Sequence, residues 1–401
     1  MDVLTPDYDL IARFQGGPNA GHTLEFNGGK HVLHTIPSGI FRTDRLNVIG
    51  NGLVIDPVVF RKEALKLTEM NLPVRENLVI SKKAHLILPT HRLLDAASEL
   101  SKGELKIGST LKGIGPAYAS KTGREGIRTG DLFRPDFSEI YRERRNDHLA
   151  RLPRTLNPEE LKTLEDEWFE AIEFLKGFRF EDTDYLINEW LDSGKSVLAE
   201  GAQGSMLDID FGSYPYVTSS NTICAGACTG LGIAPTRIGK VIGITKAYCT
   251  RVGSGPFPTE LHNTTGDLLR KQGNEFGSTT GRPRRCGWLD LVALRYAIML
   301  NGVTELIITK ADVLQGFEKI LVATSYRIDG KESVRFPFDT QSVIEPVYTE
   351  LPGWKSDISE IRHLSGFPTE LSSYIQFIEE QTGVRVSWVS VGADRDAIIR
   401  L

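Results

Sequence analysis

Short runs of aliphatic and β-branched residues alternate along the chain with segments in which apolar residues recur every three or four positions. The first pattern is typical of strands buried in a sheet, and the second is typical of amphipathic helices. Their regular alternation predicts an α/β fold with a large, mostly parallel central sheet flanked by helices. The predicted strands are residues 9–14, 46–49, 78–80, 196–200, 241–245, 306–309, 320–325 and 385–391.

One helix is marked with particular clarity. Asn157 is suited to be its N-cap, Pro158 fits the first turn, Glu160 completes a capping-box pattern, and Gly177 is suited to end it. We interpret its apolar stripe as core packing; the stripe consists of Leu161, Leu164, Trp168, Ile172 and Leu175. The region from about residue 105 to 177 is more polar and more helical than the rest, so we expect a helical excursion from the sheet.

Composition and charge narrow the class of protein. The 401 residues are 40% hydrophobic, which is enough for a large core, and the formal net charge is −5. No linker divides the chain, so we expect residues 1–401 to form a single domain. No apolar stretch of about 18 residues or more occurs, and the first residues lack the blocks of a signal peptide. Four cysteines make no disulfide framework. The chain is therefore expected to be cytoplasmic and to bind no membrane.

Residues 279–285 stand out chemically, because three arginines follow a Thr-Thr-Gly turn in a mildly acidic chain. Arginine offers a planar fork of donors that matches carboxylate and phosphate oxygens two at a time. The loop is therefore a candidate for gripping a small anionic substrate. Taken alone, it is equally consistent with a solvated basic turn or a nucleic-acid patch. The acidic balance and the lack of a wider basic stripe disfavour nucleic acid.

Four more segments are rich in glycine and polar residues, at positions 15–24, 108–118, 200–221 and 251–260. Together with residues 273–290, they closely resemble the adenylosuccinate synthetase family, whose members join IMP and aspartate at the expense of GTP. The resemblance runs in register from Asp2 to the C-terminus. It implies a P-loop-NTPase-like α/β fold and a ligase of AMP biosynthesis. In that reaction the 6-oxygen of IMP is first phosphorylated, and aspartate then displaces the phosphate.

His22 is the main catalytic candidate. A histidine taken alone is more often a structural hydrogen-bonding residue, but residues 19–23 match the family's Asn-Ala-Gly-His-Thr motif, in which histidine is the general acid. Gln203 matches an IMP-binding glutamine and is assigned to catalysis with His22, although an amide in such a turn can also be structural. The residues expected at IMP are Asn19, Ala20, Gly21, His22, Thr110, Arg124, Gln203, Thr218 and Arg282.

The resemblance also implies sites for aspartate, GTP and Mg²⁺. The loop departs from the family pattern at Pro283, where arginine is also common. A carboxylate at the end of the strand 306–309 could accept hydrogen bonds from guanine, although so short a motif is weak by itself. The residues expected to bind the substrate aspartate are Ser278, Thr279, Thr280, Gly281, Arg282, Pro283 and Arg284. The residues expected to bind GTP are Gly21, His22, Thr23, Arg284, Lys310, Ala311, Asp312, Ser390, Val391 and Gly392. The implied Mg²⁺ ligand is the carbonyl of Gly21.

Arg124 carries an implication for assembly. It matches an arginine that reaches the IMP phosphate of the neighbouring subunit, which implies a homodimer with shared sites. The expected partners are therefore IMP, L-aspartate, GTP and a second copy of the chain, with no nucleic acid.

One part of the family pattern does not occur in residues 1–401. Family members carry a first strand and a glycine-rich phosphate loop, Trp-Gly-Asp-Glu-Gly-Lys-Gly-Lys, whose aspartate is both the base on IMP and a Mg²⁺ ligand. Either residues 1–401 are a shortened form of a longer protein, or they are a natural variant without the loop. We favour the first, since Met1 stands where the family has an apolar residue such as valine. The alternative function is a catalytically impaired homologue that binds IMP and GTP, or an interaction protein.

Overall fold

The computed structural model describes residues 1–19, 21–103, 108–152, 157–277, 281–340 and 342–401. The α-helices are α1 (Pro57–Glu69), α2 (Val74–Asn77), α3 (Pro89–Ser101), α4 (Ile114–Thr122), α5 (Phe137–Ala150), α6 (Pro158–Leu175), α7 (Thr183–Asp192), α8 (Ala225–Leu231), α9 (Thr264–Gln272), α10 (Leu291–Asn301) and α11 (Thr369–Thr382).

The strands follow the same alternation with the helices that the sequence predicts. They are β1 (Leu10–Arg13), β2 (His22–Phe26), β3 (Gly29–Leu33), β4 (Leu46–Ile49), β5 (Val54–Ile55), β6 (Leu78–Ser81), β7 (His85–Leu86), β8 (Arg179–Glu181), β9 (Val197–Glu200), β10 (Ile242–Lys246), β11 (Cys249–Arg251), β12 (Arg285–Gly287), β13 (Leu289–Asp290), β14 (Glu305–Thr309), β15 (Lys319–Ile328), β16 (Lys331–Ser333), β17 (Ile344–Pro352), β18 (Val386–Ser390) and β19 (Ile398–Arg400).

Contacts along the chain define two compact units. The first comprises Met1–Thr23, Val32–Gly212 and Tyr216–Arg237, and the second comprises Leu24–His31, Ser213–Pro215 and Ile238–Leu401. The description of residues 1–401 as a single domain stays a prediction. None of the described helices combines the length and the apolar character needed to cross a bilayer.

The first unit is built on a five-stranded parallel sheet in the order β8-β6-β4-β1-β9. Beside the edge strand β9, Arg13 at the end of β1 lies opposite both Ile49 of β4 and Glu200 of β9. All four residues of β1 are buried, as expected for a strand covered on both faces. Because the strands are parallel, their carboxyl ends meet at one edge, and the loops that follow them start there.

The second unit contains β10, β14 and β18 in parallel, with β19 added antiparallel at one side. A further, mostly antiparallel sheet joins β13, β15, β16 and β17. Its buried core includes Trp354, Tyr374 and Ile308. Each strand predicted from the sequence coincides with an observed strand, with ends shifted by a few residues at most. The predicted α/β fold with a parallel central sheet is therefore confirmed.

The predicted helix at 157–177 forms α6. The Asn157 side chain accepts a hydrogen bond from the backbone N–H of Glu159 at 3.0 Å, as an N-cap should. The apolar stripe is buried except for Leu164, which is half-buried, and Trp168 donates its ring N–H to the carbonyl of Ile87 at 2.8 Å. Within residues 108–152 and 157–177, the helices α4, α5 and α6 give this region the helical character that its sequence predicts.

Candidate active-site residues

The carboxyl edge of the five-stranded sheet brings His22 to two buried charged groups. One guanidinium nitrogen of Arg13 lies 3.5 Å from His22 Nδ1, and Glu200 Oε1 lies 3.7 Å from His22 Nε2. Glu200 is fixed by Ser38, whose backbone N–H and hydroxyl donate to Oε2 at 2.9 and 2.6 Å. Burial alone would raise the pKa of Glu200, but His22, Arg13 and the Ser38 hydrogen bonds bring it below its ordinary value. Glu200 is therefore a fixed negative charge beside the imidazole.

These contacts fix the tautomer of His22. An arginine nitrogen can only donate, so Nδ1 accepts and the ring proton lies on Nε2. His22 Nε2 is buried without a hydrogen-bond partner among the described residues. Burial lowers the pKa of His22 to about 4, with Glu200 opposing the shift and Arg13 adding to it. The free site therefore holds a neutral imidazole whose N–H is available to a ligand.

Gln203 follows β9 in a left-handed conformation, with φ of 71°. Its side-chain oxygen is buried without a hydrogen-bond partner in the described structure, as is that of Asn19. The preceding turn is held by Gln15, which donates to the carbonyl of Ala202 at 2.5 Å and accepts from the Ser220 hydroxyl at 3.2 Å. Buried polar atoms are nearly always paired in folded proteins. The open acceptors of Asn19 and Gln203 are therefore suited to a ligand with N–H or O–H groups.

Thr110 lies half-buried in a loop that two acidic side chains of α3 hold in place. Asp95 accepts from the Ser109 hydroxyl at 2.7 Å and from the Gly113 N–H at 2.9 Å. Glu99 accepts from the N–H groups of Gly108 and Ser109 at 3.0 and 3.2 Å. The loop is thus anchored on both sides of Thr110, so the backbone at Thr110 has a defined position.

Thr218 belongs to a second anchored loop. Its backbone N–H donates to the carbonyl of Leu207 at 2.9 Å. The neighbouring Asp208 is fully buried and accepts from four backbone N–H groups, at 3.0 Å from Asp210, 3.2 Å from Phe211, 2.6 Å from Thr222 and 3.3 Å from Ile223. Asp208 is therefore the structural centre of this loop.

Arg124 differs from the other candidates, because it is exposed just after α4. It adopts φ of 64°, which is uncommon for a residue with a side chain. Within the described part of the chain its guanidinium forms no ion pair. The structure therefore presents Arg124 to solvent, where a side chain can reach another molecule.

The second unit has its own group of candidates at the carboxyl ends of β10, β14 and β18. Lys310 follows β14 with φ of 60°, and Asp312 comes two residues later. Asp312 Oδ1 is buried and lacks a hydrogen-bond partner among the described residues. Burial raises the pKa of Asp312, and Lys310 opposes that shift. After β18, the hydroxyl of Ser390 donates to the carbonyl of Gly392 at 2.7 Å.

The other candidate residues of the two units differ in their burial. Ala311 and Val391 are buried beside these strand ends, and they contribute backbone groups rather than polar side chains. In the first unit, Gly21 is half-buried and Thr23 is exposed at the start of β2. Ala20, Ser278, Thr279 and Thr280 lie outside the described residues.

The arginine loop closes as a hairpin. Arg284 donates its backbone N–H to the carbonyl of Glu275 at 2.9 Å, and Gly277 donates to the carbonyl of Arg282 at 2.8 Å. Gly281 has φ of 64°, a conformation that glycine adopts without strain. Arg282 and Pro283 are exposed.

The arginines of the loop have different environments. Arg284 donates to the buried carboxylate of Glu275 at 2.6 Å. Arg285 is bound to Glu260 and donates to the carbonyl of Gly255 at 2.8 Å, so its fork is used inside the structure. Arg282 is therefore the most exposed fork in the described part of the loop.

The described residues do not by themselves fit a magnesium centre. Mg²⁺ is usually held by one or two carboxylates, substrate phosphates and several waters. No group of three or more His, Cys, Asp or Glu side chains converges as a metal site within the described ranges. Near His22, the carboxylate of Glu200 already accepts from Ser38 and pairs with Arg13. The Gly21 carbonyl as a Mg²⁺ ligand stays a prediction.

Sequence reasoning assigned no role to Glu200, Glu275, Asp95 or Asp208. Glu200 and Glu275 lie inside segments that the resemblance singled out, so their motifs were visible although their contacts were not. A signal for Glu200 was its place as the last residue of a predicted strand. Glu200 and Glu275 each have partners far away in sequence, at Ser38 and at Lys246, and only the tertiary structure identifies those contacts.

Comparison with known proteins extends the match over the whole chain. A sequence model of the adenylosuccinate synthetase family matches residues 1–399. The adenylosuccinate synthetase of Bacteroides thetaiotaomicron is 58% identical over 396 residues, covering 98% of this chain and 93% of that protein. The Porphyromonas gingivalis protein of the same name is 59% identical over 401 residues, covering 100% and 94%.

A solved structure of the same family is also similar to this chain. The structure of fully ligated adenylosuccinate synthetase from Plasmodium falciparum has 36% sequence identity and a TM-score of 0.93, and the match covers 100% of this chain and 95% of that one. The relatedness holds in sequence and in fold across almost the full length of both partners. The chain therefore belongs to the adenylosuccinate synthetase family.

Proposed function

We propose a division of labour among the residues of this chain, a ligase that joins IMP and L-aspartate to adenylosuccinate with GTP as co-substrate. The reaction needs the 6-oxygen of IMP to be phosphorylated, because an oxygen atom there is a poor leaving group. Aspartate then forms the C–N bond as phosphate leaves, and GDP is the other product. Catalysis of phosphoryl transfer depends on positioning and on stabilising the charge of the moving group.

His22 is proposed as the general acid at the phosphoryl group. The observation that carries this role is the buried Nε2–H, which has no hydrogen-bond partner among the described residues while Nδ1 is engaged by Arg13. With a pKa of about 4, the free imidazole is neutral near pH 7. An anionic phosphoryl group close to Nε2 would favour the protonated ring and so raise that pKa toward neutrality. His22 would then donate a proton or a charge-assisted hydrogen bond to that group.

Gln203 and Asn19 are proposed to read the purine and ribose of IMP through their open buried oxygens. Gln203 also fits the catalytic role that the resemblance assigns, since an oriented amide stabilises charge that develops on the base. Thr110 and Thr218 lie in anchored loops, and their hydroxyls are proposed to donate to the 5′-phosphate. The remaining proposed IMP contacts are Ala20, Gly21, Arg282 and, from the neighbouring subunit, Arg124.

Asp312 and Lys310 are proposed to select guanine. The two carboxylate oxygens of Asp312, of which Oδ1 is buried without a hydrogen-bond partner among the described residues, can accept from N1–H and from the 2-amino group, a pair of donors that adenine lacks. The other proposed GTP contacts are Gly21, His22, Thr23, Arg284, Ala311, Ser390, Val391 and Gly392. For aspartate we propose the loop residues Ser278, Thr279, Thr280, Gly281, Arg282, Pro283 and Arg284, because a dicarboxylate is well matched by arginine forks.

Several parts of the proposal rest on family membership. Mg²⁺, when bound, would neutralise phosphate charge, and we propose Gly21 as one of its ligands. We propose that the reaction also needs a general base on IMP and a phosphate-binding loop; the glycine-rich motif that supplies both in the family does not occur in residues 1–401. We also propose a cytoplasmic homodimer that binds no nucleic acid and no membrane, and the exposed Arg124 is consistent with shared sites.

The test follows adenylosuccinate formation by absorbance, using the longest protein produced from the gene. His22→Ala should lower turnover by about 10²–10⁴-fold, which is typical for loss of a general acid. The KM for IMP should change far less than turnover, because the other proposed IMP contacts remain. His262→Ala is the matched control, since that histidine is 80% exposed. Equal turnover in His22→Ala and the parent protein would refute the acid role, and no product from the parent protein would favour an impaired homologue.

A further inference from the structure

A buried carboxylate in the second unit connects the arginine loop with two strand ends. The side chain of Glu275 is 0% exposed. Its Oε2 accepts from Arg284 at 2.6 Å, and its Oε1 accepts from Lys246 at 2.7 Å and from the Tyr248 hydroxyl at 2.5 Å. The ammonium group of Lys310 lies 3.6 Å from Oε1. One carboxylate thus pairs with basic side chains of β10, of the loop after β14 and of the arginine loop.

The charges of this cluster are unbalanced. Glu275 carries one negative charge and faces three basic side chains, Lys246, Lys310 and Arg284. Burial lowers the pKa of Lys246 to about 8, although Glu275 opposes the shift, so this side chain is still mostly protonated near pH 7. Burial would raise the pKa of Glu275, but Lys246 and the other donors lower it to about 2, so the group is ionised at any physiological pH. The excess positive charge suits anionic ligands, and without Glu275 the three cations would repel each other in a partly buried space.

The backbone holds Glu275 in a fixed place. Its N–H donates to the carbonyl of Arg270 at 2.9 Å, and its carbonyl accepts from the N–H of Arg284 at 2.9 Å. Lys310 also donates to the carbonyl of Gly273 at 2.5 Å. A Cβ at Gly273 would lie 2.2 Å from the Tyr248 hydroxyl, so glycine is needed for this close approach. The carboxylate is therefore a rigid anchor for long, flexible side chains.

We propose that Glu275 is a positioning residue that orients Arg284 and Lys310 together, and thereby couples the aspartate-binding loop to the guanine-binding strand end. The inference rests on the roles proposed above for Arg284 and Lys310. Long cationic side chains lose binding strength when they are free to rotate, because ordering them costs conformational entropy. A carboxylate that holds both in advance reduces that cost at two ligand positions at once. Loss of Glu275 should therefore weaken the binding of aspartate and of GTP, and it should leave the binding of IMP unaffected.

Glu275→Gln tests this prediction, because the amide keeps the size and one acceptor but removes the charge. We expect the KM values for aspartate and GTP each to rise about ten- to hundredfold, as for loss of a charge-assisted hydrogen bond, with the KM for IMP within about twofold. Glu260→Gln is the matched control. It removes the charge of the largely buried carboxylate that binds Arg285, which is next to Arg284 in sequence. In this variant the KM values for aspartate and GTP should not rise relative to the KM for IMP. A rise for only one of aspartate and GTP, or an equal rise for all three substrates, would overturn the coupling.

Tyr248→Phe provides the second variant if Glu275→Gln does not fold. It removes one hydrogen bond from the carboxylate and keeps every charge, so the same two KM values should rise by about three- to tenfold. Unchanged KM values in that variant would overturn the proposal. Calorimetric titration with GDP separates this inference from the proposed function. If the parent protein forms no adenylosuccinate, the proposed function fails, while weaker GDP binding by the variant would still support the positioning of Lys310.

Discussion

Asp312→Asn should weaken the selection of guanine and at the same time leave the free protein as stable as before or more stable. The carboxylate has two acceptor oxygens, one for N1–H and one for the 2-amino group of guanine, and its Oδ1 is buried without a hydrogen-bond partner among the described residues. In the variant one acceptor becomes an amide donor, which cannot accept from the second guanine donor. The two effects have opposite signs, which separates a ligand-binding role from a structural one.

The magnitude follows from the buried environment. A hydrogen bond that involves a charged group contributes about 1.5–3 kcal/mol. The ratio of kcat/KM for GTP over ITP, which lacks the 2-amino group, should therefore fall by about ten- to hundredfold. Burial raises the folded-state pKa of Asp312, so the folded state favours the protonated acid, and this preference is lost as pH rises through the folded pKa. At neutral pH the ionised carboxylate costs stability, and the non-ionising amide removes that cost.

The assay measures kcat/KM for GTP and ITP at saturating IMP and aspartate, together with thermal unfolding of the free protein at neutral pH. Asp357→Asn is the control, because Asp357 is an exposed carboxylate in the same unit that accepts from the Ser359 N–H at 2.9 Å. Its preference for GTP should equal that of the parent protein. An unchanged GTP over ITP ratio in Asp312→Asn would refute the assignment, and so would a loss of selectivity that merely accompanies a large drop in melting temperature.

Two other predictions address assembly and stability. Arg124→Leu should raise the KM for IMP, and mixing it with His22→Ala subunits should restore activity through one site that keeps both residues; no recovery between subunits shown to exchange would argue against shared sites. Asp208→Ala should lower the free energy of unfolding by on the order of 3 kcal/mol or more, because it leaves four backbone donors unpaired; urea denaturation that shows a change below about 1 kcal/mol would contradict this.

Local patterns in the sequence were sufficient to predict the strands named in the sequence analysis and the helix α6. The period of two and the period near 3.6 arise from backbone geometry, so they are readable from neighbouring residues alone. The Asn157 cap is an example, since its hydrogen bond spans only two residues. Family motifs likewise pointed to His22, Gln203 and Asp312, because each lies in a short, specific segment.

The roles of the buried acids could not be read in this way. Glu200 meets His22 and Arg13 from a strand that is far away in sequence, and Glu275 gathers Lys246, Lys310 and Arg284 from three separate segments. Sequence spacing carries no information on such pairs, because parallel strands place distant residues side by side only after the sheet has formed. An acid on a motif could equally have been a solvated surface charge.

The sequence by itself determined the alternation of strands and helices, the suitability of the arginine loop for binding an anion, and the membership of a ligase family. The tertiary structure decided which polar atoms are used internally and which stay open. It engages Arg284 and Arg285 with buried acids, and it leaves buried oxygens of Gln203 and Asp312 without hydrogen-bond partners among the described residues. The physical reason is that burial and hydrogen bonding are properties of the packed chain. A side chain becomes a defined binding group only when its neighbours exclude water and fix its orientation.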